Sequence, residues 1–434
     1  MISKPKGTYD VLPKESSGWN RLEETIRKIC RLYNYKEIRT PIFESFQVFH
    51  RDLNDASDMV TKETYDFTDR GERMITLRPE GTAGVARAYI ENKMYVENPV
   101  SKLFYMGPMF RYERPQKGRT RQFAQFGVEA LGSDSPYIDA EVIALGASLI
   151  RALGLKDVAV KINTLGDEES RNRYREVLVS YFTQYKEELC GDCLSRLEKN
   201  PLRILDCKVD RGKDFFKNAP KIKDYLNEES KAHFAEVLKA LDAMQIKYVI
   251  DDNLVRGLDY YSHTVFELEA NVPEFGAQNV LGGGGRYDGL ISQLDGPKTP
   301  GVGMAFGLER LMLAASLSGK ALARPEAIHL YFIALGKRAQ EECLRQANIC
   351  RIGGLSCDMD FLGRGIKAQF KDADKNNARF TCILGDNELN EFKINIKDNE
   401  TDEQETISLY DIYPYVINKL NKGSACASCK DRKE

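Results

Sequence analysis

A chain of 434 residues is longer than one ordinary hydrophobic core serves, so two or three domains are expected. Hydrophobic residues make up 42% and charged residues 29%, and no run of about 18 apolar residues occurs, which excludes a helical membrane span. With 63 Lys and Arg against 65 Asp and Glu the formal charge is -2, which excludes a globally basic nucleic-acid binder and requires any such contact to be local.

The opening MISKPKGTYDVLPKE lacks the apolar stretch of a secretory signal, so a cytoplasmic location is expected. Leu22, Ile26, Ile29 and Cys30 then recur at helical spacing between Trp19 and Tyr33, and Pro41 in EIRTPIFES stops any helix and suits an edge strand. From about residue 60 to 130, short alternating runs read as hairpin strands around one helix, Gly84 to Asn92, which points to an antiparallel sheet. A helix over 137–153 and a strand in VAVKINTLGD follow. Residues 167–247 then turn to charged helical text, read as a helical insertion, before β text resumes at 248. Arg324 and Pro325 mark a join, beyond which strands and helices alternate as in a separate α/β domain with a mostly parallel sheet, residues 326–424, ahead of a tail, 425–434.

Ten cysteines are too dilute for a disulfide scaffold in a chain of this size. Cys190 and Cys193 form a CxxC pair with Cys207 downstream, a zinc candidate that lacks its second short-range pair, and Cys426 and Cys429 form another in the tail.

Residues 279–291, NVLGGGGRYDGLI, match neither nucleotide-loop fingerprint. No register gives glycines at first, third and sixth places, and Leu290 stands where a phosphate loop needs lysine. Four consecutive residues without side chains serve either a turn or a surface on which something lies against bare backbone.

In GPMFRYERPQKGRTRQFAQFGVEALG, strands over 104–113 and 121–131 would put Arg111 and Glu113 on one face, with Arg121, Phe123, Gln125 and Glu129 on the partner's, and Phe110, Tyr112, Phe126 and Val128 on the apolar side. That face reads either as solvated ion pairs or, with the basic loop Arg114, Lys117, Arg119 at its rim, as a phosphate grip.

Phe110, Arg111 and Glu113, then Arg119 and Phe123, and GMAFGLERL with Arg310 resemble motifs two and three of the class II aminoacyl-tRNA synthetases, and Pro41 stands where that class carries its dimer-motif proline. LVRGLDYYSHTVFE and GGGGRYDGL resemble the two signature peptides of the histidyl-tRNA synthetases, and the match spans nearly the whole chain. No HIGH peptide of the class I enzymes occurs.

The resemblance implies an α+β catalytic domain built on an antiparallel sheet, residues 1–325, and a C-terminal α/β anticodon-binding domain. It implies an enzyme that activates L-histidine with ATP and Mg²⁺, without an organic cofactor, and passes it to histidine tRNA, as a homodimer with no membrane attachment. Arg111 and Arg256 would hold the α-phosphate from two sides, Arg310 and Phe123 would sandwich adenine, and Glu113 and Arg119 would orient the nucleotide. Glu80, Thr82 and Gln125 would surround the histidine ammonium and carboxylate, with Arg256 beside them, and Glu129, Tyr261 and Tyr287 the imidazole. Gly283, Gly284 and Gly285 would be the pocket floor, with Arg286 beside it, so a valine at Gly284 is expected to weaken histidine binding and leave the fold intact. Arg114 and Gln116 would meet the tRNA acceptor end. Arg364, Lys367, Lys371 and Lys375, at offsets 0, 3, 7 and 11, would form a helix face on the anticodon side. The alternative within the same resemblance is a histidine-sensing regulatory subunit of an ATP phosphoribosyltransferase.

Overall fold

The computed structural model describes residues 2–51, 62–116, 118–256, 260–270, 279–320, 322–323 and 326–430, with side chains to 421. Lys117, Arg324, Pro325, Cys426 and Cys429, singled out above, therefore lie outside the described side chains. The chain divides into two compact units, residues 1–323 and 324–434.

The first unit contains β1 (Lys36–Glu37), β2 (Phe43–Ser45), β3 (Tyr65–Thr68), β4 (Met74–Leu77), β5 (Ser101–Phe110), β6 (Gln122–Leu131), β7 (Val158–Thr164), β8 (Tyr248–Ile250), β9 (Ser262–Ala270), β10 (Val280–Arg286) and β11 (Gly301–Gly307). Eight of them form one sheet in the order β1-β5-β6-β11-β10-β9-β7-β8, antiparallel from β5 to β7 with a parallel strand at either edge. β2, β4 and β3 form a separate antiparallel sheet.

Strand periodicity gives the large sheet two different faces. On one, Phe104, Val128, Met304, Gly284 and Phe266 stand side by side across five strands. They enter a core with helices Pro13–Leu32, Pro136–Ala152, Glu228–Ala243 and Leu308–Leu317. Pro136–Ala152 is the central helix: Ser135 caps it, Pro136 occupies its first turn, and Val142, Ile143, Leu145 and Leu149 are fully buried. The opposite face carries two rows, Leu103–Glu129–Gly303–Gly285–Val265 and Tyr105–Gly127–Ala305–Gly283–Glu267. Glycine in the middle of these rows leaves a recess in the sheet face into which the side chains of Tyr105, Glu129, Arg256 and Tyr261 reach.

None of the four glycines 282–285 has positive φ. They are strand residues hydrogen-bonded on both sides, so close approach and not a turn is the reason for them.

Residues 167–247 are helical, and they form the connection between β7 and β8. Helix Glu228–Ala243 returns Val237 and Leu241 to the main core, while Cys193, Leu197, Ile204 and Cys207 share a core with Tyr261 and Tyr287.

The second unit holds β12 (Leu330–Ala334), β13 (Cys357–Met359), β14 (Phe380–Leu384), β15 (Lys393–Asp398) and β16 (Gln404–Ser408), ordered β13-β12-β14-β15-β16. The first three strands of that order run parallel, and β15 and β16 are antiparallel, so the sheet is mixed where alternation of strand and helix predicted it mostly parallel. The departure lies in the short helix Asp386–Asn390, which leads into β15 without crossing the sheet.

Candidate functional site

The recess is closed at one end by Glu129, which is fully buried and accepts from the Thr82 hydroxyl at 2.7 Å and from the Tyr287 hydroxyl. Burial pushes its pKa up to about 8, against the lowering effect of those hydroxyls. Thr82 is delivered by the start of helix Thr82–Glu91, whose first amides are held by Glu80: its carboxylate accepts from the amides of Thr82 at 2.5 Å and Ala83 at 2.8 Å. Glu80, one residue before the N-cap Gly81, is thereby held at the helix start. Gln125, buried, accepts from the Tyr105 hydroxyl at 3.4 Å. Tyr261 and Tyr287 flank Tyr260, whose ring meets theirs at 4.9 and 5.7 Å between centroids. Burial raises the pKa of each of these three phenols, so they are neutral donors.

The floor follows the strand period. A Cβ on Gly283 would lie 2.9 Å from Arg256 Nη1, and one on Gly285 would lie 2.9 Å from the Tyr261 ring. Gly303 completes it, since a Cβ there would come within 2.0 Å of Glu129 Oε2. Gly284 points the other way, where its Cβ would sit 1.9 Å from the Gly303 carbonyl oxygen and 2.6 Å from Met304 Cα. Gly284 is therefore not floor, and valine there would break strand pairing, contrary to the expectation of an intact fold. Arg286 also belongs to the other face. It is 1% exposed, binds Asp139 with Nε at 3.1 Å and Nη2, and donates to the Ser133 and Ser135 carbonyls at 3.0 and 3.2 Å.

The arginines expected at the nucleotide end are each held by their own partners. Arg256 pairs with Glu267, while its buried Nε has no hydrogen-bond partner among the described residues. Arg111 lies just beyond the end of β5, anchored by Nε to the Pro79 carbonyl at 2.8 Å, 3.8 Å from Glu113, with its guanidinium 5.2 Å from the Phe123 ring centre. Glu113 also pairs with Arg119 at 3.2 Å. Arg310 donates to the Val280 carbonyl at 2.5 Å. Burial and the neighbouring Arg119 hold its pKa below the usual value, and the charges of Glu113, Arg111 and Glu267 also reach it. The guanidinium beside Phe123 in this structure belongs to Arg111. Arg111 and Glu113 follow the last residue of β5, so strand alternation does not govern them, and Tyr112 is 53% exposed beneath Arg121, not on the apolar side.

The hairpin 111–121 brings Arg114 and Gln116 to the rim, both exposed, and Gly118 approaches Arg310, with 3.8 Å from its would-be Cβ to Arg310 Cγ. In the second unit Lys367, Lys371 and Lys375 lie exposed on helix Ile366–Lys375. Arg364 precedes that helix and is bound to Asp360, with Nε–Oδ1 at 2.5 Å, and to Asp372, so it is a clamp on the helix start and not the first member of a free stripe.

Sequence reasoning missed Tyr105, Tyr260, Glu267 and Asp139. Two of them left a signal: Glu267 shares a strand face with apolar Val265, and Asp139 sits three and four residues before Val142 and Ile143 on an apolar helix face.

A histidyl-tRNA synthetase family model matches residues 7–168 and 186–311, and an anticodon-binding-domain model matches 329–419. A histidine–tRNA ligase of Acholeplasma laidlawii is 52% identical over 406 residues, 94% of this chain and 96% of that one. One of Staphylococcus haemolyticus is 50% identical over 423 residues, 97% of this chain and 100% of the other. The crystal structure of apo S. aureus histidyl-tRNA synthetase superposes with a TM-score of 0.82 at 44% identity, covering 96% of this chain and 100% of that one.

Proposed function

The chain belongs to the histidyl-tRNA synthetase family, and from that premise we propose how its residues divide the work of an ATP-dependent histidine–tRNA ligase. Histidine enters the recess with its imidazole against Gly283, Gly285 and Gly303. Glu129, positioned by Thr82 and Tyr287, meets one ring nitrogen, and the tyrosines at 260, 261 and 287 enclose the ring. A buried carboxylate and buried phenols reject apolar amino acids, which would leave those groups unpaired. Glu80, Thr82 and Gln125 stand around the ammonium and carboxylate ends.

ATP, arriving as its Mg²⁺ complex, occupies the arginine end. Arg111 and Arg256 hold the α-phosphate while a histidine carboxylate oxygen attacks phosphorus in line and pyrophosphate leaves. Phe123, Arg310, Glu113 and Arg119 position adenine and the phosphate tail. No covalent enzyme intermediate is required, because the step needs alignment and stabilisation of charge on phosphorus. The Arg256 Nε, without a hydrogen-bond partner among the described residues, and the Arg111 guanidinium beside Phe123 support this assignment. A ribose hydroxyl at the tRNA 3′ end then attacks the acyl carbon and AMP departs, with Arg114 and Gln116 beside the acceptor end and Lys367, Lys371 and Lys375 on the anticodon side.

The matched anticodon-binding unit and the ligase relatives covering nearly the whole chain favour the ligase over the regulatory-subunit alternative. Phe43 and Phe67 share a face of the small sheet at 56% and 44% exposure, an apolar surface that supports a homodimer. No helix among the described residues is long and apolar enough to cross a membrane. A cytoplasmic location is the reading that a tRNA substrate supports.

The observation that carries the assignment is buried Glu129 at the end of a glycine-floored recess. ATP–pyrophosphate exchange with each amino acid in turn tests it. Histidine alone should support exchange, and Glu129→Gln should raise the histidine KM by about 10- to 100-fold. Exchange driven equally by another amino acid would overturn it.

A further inference from the structure

Outside the reaction site, one cluster of metal-ligating side chains is drawn together by the helical connection 167–247. Cys190, Cys193, Cys207 and Asp210 bring their ligand atoms within 4.8 Å of one another. In sequence they form two pairs of equal spacing, Cys-x-x-Cys and Cys-x-x-Asp, so the second short-range pair that seemed missing is present with a carboxylate as its last member. We propose that these four side chains bind one structural Zn²⁺ through three thiolates and the Asp210 carboxylate.

The geometry fits that ion. Zinc–sulfur bonds of about 2.3 Å at tetrahedral angles put sulfurs about 3.8 Å apart, and the Cys190 and Cys207 sulfurs are 3.7 Å apart. The same separation is far beyond the roughly 2.05 Å of a disulfide. Cys190 is the N-cap of helix Gly191–Lys199 and Cys193 its third residue, so the positive end of the helix faces both sulfurs. Cys193 and Asp210 are fully buried and Cys207 nearly so.

The surroundings have the character of an outer ligand shell. The Cys190 amide donates to Asp210 Oδ2 at 3.0 Å, the Asp210 amide donates to the Cys207 sulfur at 3.3 Å, and Lys213 Nζ lies 2.8 Å from Asp210 Oδ1. Three thiolates and a carboxylate around a dication carry an excess of two negative charges, and Lys213 offsets one. Soft sulfur donors with one oxygen select zinc over magnesium or calcium. Four protein ligands leave no open position, so the ion is structural and not a second reaction centre. It pins the helical segment whose core includes Tyr261 and Tyr287, and from which Arg171 donates to the Tyr261 carbonyl at 2.7 Å.

The full-length chain, expressed with zinc in the medium and purified without chelator, tests this by elemental analysis. About one zinc per chain is expected in the wild type and in Cys426→Ser/Cys429→Ser, which removes the tail pair, and none in Cys193→Ser. Cobalt(II) replacement should give intense tetrahedral d–d bands and sulfur-to-cobalt charge transfer. Asp210→Asn should keep the charge transfer and weaken binding about 10- to 100-fold. Because Cys193→Ser could fail for lack of folding, the cobalt spectrum of the wild type decides independently. Wild type that holds neither zinc nor cobalt, zinc lost only with the tail cysteines, or an intact mass lighter by the two hydrogens of a Cys190–Cys207 disulfide would each overturn the proposal.

Discussion

Burial raises the pKa of Glu129 in the folded chain and the charge of Glu80 adds to it, while hydrogen bonds from the Tyr287 and Thr82 hydroxyls pull it the other way. In the unfolded chain the same carboxyl ionises near 4.5, and in the fold near 8, so between those values the folded state binds more protons. Its contribution to stability is therefore full below about pH 4.5 and is lost as the pH rises through 8. Equilibrium unfolding of wild type and Glu129→Gln across that range should show a difference that narrows or reverses towards alkaline pH as wild type loses stability. A pH-independent difference would contradict it. That Glu129, Tyr261 and Tyr287 belong to one cluster was implied by the distinctive peptides in which they stand, and the structure brings them together. Their roles around Arg286 and Gly284 were not readable, because a strand turns successive residues to opposite faces and adjacency in sequence looks like adjacency in space.

At the scale of elements, one buried ion pair ties the end of β10 to the central helix. Asp139, fully buried, receives Arg286 and also hydrogen bonds from Thr264 at 2.7 Å and His233 at 3.0 Å, joining β9, β10 and two helices. Removing the Asp139 charge leaves buried Arg286 with the partly exposed Asp288 as its remaining ion partner among the described residues, a cost of about 3–5 kcal/mol. Asp139→Asn should lower the unfolding free energy by about that amount in a denaturant titration. This network explains why β10 holds its register with four glycines and no side chains to pack. Most elements were legible from periodicity: the helix over 137–153 is Pro136–Ala152, and the strand text around 104 and 121 gives β5 and β6. Arg364 was not, because spacing alone cannot tell a residue on a helix from one that precedes its cap, and only the fold brings Asp360 within reach of it.

At the scale of the molecule, each unit carries its own core: one centred on Leu330, Phe332, Phe380 and Ile394, and two on the large sheet's faces. Residues 1–323 alone should retain histidine-dependent pyrophosphate exchange, whereas transfer to tRNA should fall by at least about 100-fold for want of the second point of attachment. Equal loss of both activities would show that the two units do not divide the work in this way. The floor of the recess has a further consequence, for inheritance. Gly283, Gly285 and Gly303 already carry the smallest side chain there is, and any single-base change in a glycine codon that alters the amino acid adds atoms. Drift at these positions can only narrow the cavity and never enlarge it, so a lineage could broaden its amino-acid diet only by rebuilding the walls.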